Sequence, residues 1–423
     1  MINAILPGVY IETVAGDRET SRTVSGIVTT ALPLSWGDKV TSIRKGADTL
    51  LALGYARSDE KMKIVNEIMN YANELILYRL GEGNKARGEL ADDVTAVAIY
   101  GGLRGNDIHV TVDTIQGGFT IKTFLETLEV DSQNITDVAA FRPNGFIEIV
   151  GEGTLNRASI VLEGGADAVI TAADYEAYKA EIQKYDYNVM VYTGTDASTA
   201  AGLVNFTNEQ RDRDNMVQIV ANGVAANNPA VYNSTIGGKT LAYDLTPNEA
   251  CATMAGILAM QGIEGSATFY APVIGWTDVN PRLSVPQQEL KTKAGEILFV
   301  MRHNAPTVLY DINSLTTFTA EQPEDFRKGL VMRTLDMYEM DLQYLLDTRA
   351  VGKIRNSKDG RAQIKGMIVD MSKKHYADPG YIEDFEAVDV TVEQGTSRDS
   401  VLVRVGIKVA DTTDKIYVTV TAL

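Results

Sequence analysis

The spacing of apolar positions changes several times along this 423-residue chain, and each change predicts a different kind of element. Pro7-Gly8-Val9-Tyr10-Ile11-Glu12 reads as a short extended segment; the polar stretch Ala15 to Arg22 follows it, so it has no obvious hairpin partner. Val24 to Leu34 reads as a strand closed by Pro33. Helical patterns follow around Ala47 to Leu53 and Glu60 to Asn73, the second carrying Met62, Val65, Ile68 and Met69 at helical spacing. Leu75 to Leu80 then predicts a buried strand.

From Val94 to Leu162 the pattern is short and alternating. Val94 to Tyr100, Asp107 to Val112, Phe119 to Phe124, Phe146 to Val150 and Ala158 to Leu162 are separated by Gly, Asn and Asp turns, the spacing of an all-β sandwich or small barrel. After Gly164-Gly165, helix and strand alternate. Ala172 to Lys184 and Ala197 to Phe206 predict helices, and Asn188 to Tyr192 and Met216 to Ala221 predict strands. A further helix runs from Pro247, capped by Thr246, to about Met260. Glu296 to Met301 and Pro306 to Ile312 continue the series, which implies an α/β layered domain on a largely parallel sheet.

The C-terminal third opens with a long helix, Glu324 to about Leu346, striped by Leu330, Leu335, Tyr338, Leu342 and Leu345; a second covers roughly Arg361 to Lys374. Two alternating strands close the chain, Val401 to Val409 and Ile416 to Val420, the latter with Ile416, Val418 and Val420 on one face opposite Tyr417 and Thr419. The fold class expected is therefore α/β and β multidomain: a central layered α/β domain with an inserted all-β sandwich, an α+β C-terminal domain and extended terminal β-arms. The boundaries expected are an N-terminal arm at 1–21, an α/β segment at 22–92, the outer β domain at 93–165, the central domain at 166–312, the C-terminal domain at 313–410 and an arm strand at 411–423.

Composition narrows the function. The apolar share of 45% is that of a globular protein, and the longest apolar run, Ala250 to Met260, is well short of the ~20 residues a membrane span needs. The N-terminus shows no basic, signal-like region, and a reducing cytoplasm is the expected site of synthesis. The single cysteine, Cys251, excludes an internal disulfide framework or a cysteine-cluster metal site. A net charge of −17 argues against a surface that tracks nucleic-acid phosphates.

Catalytic constellations are not apparent. His109, His303 and His375 fall in different expected domains without ligand-spaced partners, and are read as ordinary hydrogen-bonded or surface histidines. Gly237-Gly238-Lys239-Thr240 resembles the end of a phosphate-binding loop, but Asn233 stands where that loop needs glycine, so a polar turn between strands is expected instead. Gly101 to Asn106 joins two β segments and does not open a helix, which removes a dinucleotide cradle. Cys251 lies in an apolar helix and reads as a buried structural thiol. No catalytic, cofactor-binding or metal-ligating residue is assigned.

Several segments, in order along nearly the whole chain, resemble the contractile-tail sheath family of myophages, prophages and related bacteriocin particles. They are Pro7-Gly8-Val9-Tyr10-Ile11-Glu12; Tyr100-Gly101-Gly102-Leu103-Arg104-Gly105-Asn106-Asp107-Ile108; Leu162-Glu163-Gly164-Gly165-Ala166-Asp167 with Ala173-Asp174-Tyr175; and Met254-Ala255-Gly256-Ile257. Asp311-Ile312-Asn313-Ser314-Leu315-Thr316-Thr317, Val351-Gly352-Lys353-Ile354-Arg355-Asn356 and Lys415-Ile416-Tyr417-Val418-Thr419-Val420 complete the set. The resemblance implies a non-enzymatic subunit that polymerises helically around an inner tail tube, joined by exchanged arms, and that shortens when a baseplate triggers it. It implies the tube, baseplate and tail terminator proteins as partners, no nucleic acid, no direct membrane insertion, and a place in a virion tail assembled in the bacterial host cytoplasm.

Within that frame Val9, Tyr10, Ile11 and Glu12 at one end, and Ile416, Tyr417, Val418, Thr419 and Val420 at the other, are expected to pair with sheet edges of adjacent subunits, the alternative being that each folds back on its own domain. The polar stretches Ala15 to Arg22 and Asp411 to Asp414 would be their hinges. Between Arg349 and Lys374, eight basic residues stand against two acidic ones, a local +6. Lys353, Arg355, Arg361 and Lys365 there either form a solvated face or face an acidic tube. A soluble α/β enzyme or ligand-binding protein with an added β domain is the alternative from another class.

Overall fold

A computed structural model describes residues 26–421. The largest of its sheets has seven strands in the order Glu296–Ile297, Val231–Ser234, Gln218–Ala221, Val189–Val191, Ile27–Leu32, Glu74–Arg79 and Val40–Arg44. All neighbours are parallel except the last pair, in which Val40–Arg44 runs against Glu74–Arg79. Ile27–Leu32 is where the winding reverses: the next parallel strand lies on one side of it and all later ones on the other.

Successive residues point to opposite faces of a strand, and both faces of this sheet are covered. Leu75, Leu77 and Val220 join the core beneath the helices Lys63–Met69 and Pro247–Gln261. Ile76, Tyr78, Ile219 and Ala221 pack with Tyr178, Ile182, Leu203 and Phe206 of the helices Ala172–Ile182 and Ala197–Arg211. This two-sided burial explains why these strands read as continuous apolar runs.

Local signals set the central helix. Pro247 occupies its first turn, where a missing N–H costs nothing, and Thr246 and Glu249 cap each other's backbone N–H groups. Gly256 permits close approach, since a Cβ there would stand 2.8 Å from the Ile68 carbonyl oxygen. Between these two helices the Glu67 carboxylate, 1% exposed, accepts from Thr253 Oγ1 (2.6 Å), Trp276 Nε1 (3.0 Å) and Tyr243 OH (3.0 Å).

A second, all-antiparallel unit stands on this body. One sheet holds Lys85–Ala91, Val94–Gly101 and Ile147–Gly151; the other holds Ala158–Val161, Ile108–Ile115, Gly118–Leu125 and Leu128–Ile135. Ala86, Leu90, Val94, Ala96 and Ala98 of the first meet Ile108, Val110, Val112, Ile121 and Leu125 of the second in one core cluster. Arg104 ties the unit down, donating to Gly54 O (2.8 Å), Asp107 Oδ2 (2.9 Å) and Glu126 Oε1 (2.5 Å).

Several expectations are corrected. The segment 22–92 is not a unit of its own: three of its strands are one side of the seven-stranded sheet, and Lys85–Ala91 belongs to the antiparallel unit, upstream of 93. Gly237–Thr240 is a strand between Asp244–Leu245 and Trp276–Asn280 rather than a turn; Gly238 leaves room for the Trp276 ring, which a Cβ would meet at 2.3 Å. The long C-terminal helix begins at Gly329, because Lys328 is extended after the single 3-10 turn Glu324–Arg327. Val401 to Val409 is two strands, Val401–Val405 and Lys408–Val409, parted where Gly406 N donates to Asp389 O (3.0 Å). Ile416 to Val420 forms no strand among the described residues.

The C-terminal unit packs the helices Gly329–Arg349 and Lys358–Ser372 against the two-stranded pairs Val390–Gln394 with Val401–Val405, and Ile382–Glu383 with Lys408–Val409.

Candidate functional site

The start of the Gly329–Arg349 helix is fastened to the central body by buried charge. Arg333, 7% exposed, donates to Asp311 Oδ2 (2.8 Å), Gly262 O (2.6 Å) and Gly265 O (3.0 Å). Burial pushes the Asp311 carboxyl up, but attraction to Arg333 and the bonds from Arg333 and Ala267 N outweigh it and hold its pKa below the usual value. One turn on, Asp336 accepts from both terminal nitrogens of Arg211 (2.6 and 3.0 Å) and from Gln218 Nε2 (3.0 Å). The C-terminal unit is thereby joined to the sheet through groups whose hydrogen bonds depend on one relative placement.

The tail leaves this body at a defined point. Ala410 N donates to Tyr381 O (3.0 Å) just past the strand Lys408–Val409. The Lys328 ammonium then lies 3.1 Å from Asp411, bonds Asp414 as well, and sits 4.7 Å from the centre of the Tyr310 ring. The stretch expected as a hinge, Asp411 to Asp414, is therefore tethered through both of its acids. Beyond it Ile416, Tyr417, Val418 and Val420 are 76, 92, 75 and 88% exposed. Four large apolar side chains exposed within five residues make a patch of the kind that marks interaction surfaces.

A sheet edge stands open in the same unit. Among the described residues Val401–Val405 pairs only with Val390–Gln394, so the backbone groups along its other side have no strand against them. The other arm, Val9, Tyr10, Ile11 and Glu12, and its expected hinge Ala15 to Arg22 lie outside the described residues.

The four basic residues are placed unequally. Lys353 and Arg355 are exposed on the turn after the Gly329–Arg349 helix, and Lys353 Nζ bonds back to Thr348 O. Arg361 is half-buried and donates to Asn356 Oδ1 and Gln394 Oε1, both at 2.9 Å, which staples its helix to the strand Val390–Gln394. Lys365, four residues on, shares a helix face with Arg361 and is half-buried. Sequence reasoning does not find Lys328, because nothing local marks a lysine whose partners lie more than eighty residues away; only the paired acids Asp411 and Asp414 are visible there.

Among the described residues no group of three or more His, Cys, Asp or Glu is arranged to hold a metal ion, and no helix is long and apolar enough to cross a membrane. His109 bonds Ser159 Oγ at 2.8 Å. Cys251 is fully buried, with its thiol pKa pushed up by burial, the opposite of what a nucleophile needs.

Three family models match the chain: "Tail sheath protein Gp18 domain III N-terminal region" over 25–80, "Phage tail sheath protein central domain" over 168–314, and "Phage tail sheath C-terminal domain" over 321–422. The phage-like element PBSX protein XkdK of Bacillus subtilis (strain 168) is 30% identical, the match covering 92% of this chain and 91% of that one. The solved sheath tail protein of Desulfitobacterium hafniense superposes with a TM-score of 0.85 at 30% identity, covering 97% of this chain and 99% of that one. The contracted helical sheath of the anti-feeding prophage shares the fold, with a TM-score of 0.57 at 14% identity over 99% of both chains. The mixed α/β, multi-sheet architecture, the tail segment and these matches lead to one assignment: the chain belongs to the phage tail sheath family, a family of structural tail proteins.

Proposed function

We propose that this chain polymerises helically around an inner tail tube, linked to like subunits by its terminal arms, and that contraction of the polymer drives the tube through the target cell envelope. The observation that carries the reading is the exposed alternating tail Ile416 to Val420 beyond the Lys328 tether. An extended segment of this kind gains most by adding to a sheet edge, and the open edge of Val401–Val405 on an adjacent subunit supplies one. Val9 to Glu12 serves the same purpose at the other end.

In this reading the C-terminal unit faces the tube, with Lys353, Arg355, Arg361 and Lys365 toward it, and the antiparallel unit lies outermost. Many weak polar contacts suit a surface that must slip during contraction. Baseplate and tail terminator proteins bound the polymer, which assembles in the host cytoplasm. Movement resides in the arms, while each subunit travels as a body.

Negative-stain electron microscopy of the concentrated protein, alone and with purified tube protein, tests the reading. Hollow tubes or rings of regular width are expected. A monodisperse monomer under both conditions overturns it.

A further inference from the structure

Arg79 ends the strand Glu74–Arg79 and is only 5% exposed, yet its guanidinium makes no hydrogen bond or ion pair among the described residues. Its Nε is a buried donor without an acceptor, and the Tyr100 ring lies 5.7 Å from its Cζ. Glu82 and Asp38 attract the charge without a direct bond to it, and a buried donor left without an acceptor is costly.

Arg79 and Lys61 line a recess of about 230 Å³ together with Gly81, Gly83 and the two acids Glu82 and Asp167. The recess opens at the carboxyl ends of Ile27–Leu32 and Glu74–Arg79, on the end of the sheet where open α/β folds place their ligands and one strand away from the crevice at which the winding reverses. Its rim is tightly built. Gly81 and Gly83 have φ of +70° and +66°, and a Cβ on Gly83 would stand 2.4 Å from the Ala166 carbonyl oxygen. The neighbouring acids are engaged elsewhere: Asp167 accepts from Leu103 N (2.9 Å), Asp38 accepts from Tyr100 OH (2.6 Å), and the exposed Glu82 lies 3.9 Å from Lys39.

We propose that this recess binds a small phosphate-type oxyanion, held by the Arg79 guanidinium with Lys61 at the mouth. The guanidinium supplies a planar, paired set of donors suited to such a ligand, and the ammonium adds a second positive charge. All of the lining residues belong to one chain, so binding there is expected without polymerisation.

The test titrates inorganic phosphate against the purified chain at constant ionic strength, following phosphorus NMR and the thermal midpoint, with Arg79→Met and Lys61→Ala in parallel. The wild type is expected to show saturable binding and, at about ten times the dissociation constant, a rise of roughly 2 °C over chloride. R79M should lose the binding at least tenfold yet melt no lower than wild type in chloride, because it removes a buried donor that has no acceptor among the described residues. K61A, at an exposed position, should fold normally and bind more weakly. Absent binding in wild type, or equal binding in wild type and R79M, overturns the proposal.

Discussion

The two ends of the C-terminal unit are built on opposite principles. At its start, Arg333 and Asp336 are buried and fully partnered with Asp311, Arg211 and Gln218 in the central body. At its finish, Ile416 to Val420 are exposed and form no strand pairing among the described residues. Between them Lys328 holds both regimes apart, with its tether to Asp411 and Asp414. On the proposed function, this places rigidity where a subunit would move as one body and leaves backbone open where another copy would pair with it.

The largest effect should come from the tail. Deleting 416–423 is expected to abolish polymer while leaving a folded monomer with an unchanged circular dichroism spectrum; an unfolded product would contradict the arm assignment. Next, Arg333→Met should cost about 3–5 kcal/mol in denaturant unfolding, because Asp311 remains buried without its partner. Replacing both residues with apolar ones should recover much of that loss.

The joint also has a pH signature. The folded-state pKa of Asp311 is depressed, so its contribution is present above the unfolded value of about 3.9 and is lost as pH falls through the folded value. Acid unfolding should therefore show a component below about pH 4 that Asp311→Asn removes. Reversing charge at Lys353, Arg361 and Lys365 should weaken co-assembly with purified tube and spare assembly of the sheath alone; undiminished co-assembly would remove the docking idea. The smallest effect is expected from Lys328→Met, which should speed proteolysis after residue 410 without lowering the thermal midpoint by more than a few degrees.

Much of the fold is legible in the sequence, for physical reasons that differ by element. Leu75 to Leu80 and Met216 to Ala221 can be read because strands buried on both faces are continuous apolar runs. The helix at Pro247 can be read from its cap. Val40–Arg44 and Leu128–Ile135 escape the pattern because they are edge strands whose exposed faces carry polar residues, which dilutes the apolar signal. The joining of the N-terminal strands to the later ones escapes it too, since pairing of Thr30 with Val191 leaves no local trace. Arg79, Arg333 and Lys328 share that invisibility: their importance lies in partners, or the lack of them, brought near only by the fold.

Hydrogen–deuterium exchange at residues 415–421, compared between dispersed and assembled protein, tests most directly whether the tail is completed by another subunit. The account predicts rapid exchange in the dispersed chain and strong protection of alternate amides in the polymer. Equally rapid exchange in both states would contradict it.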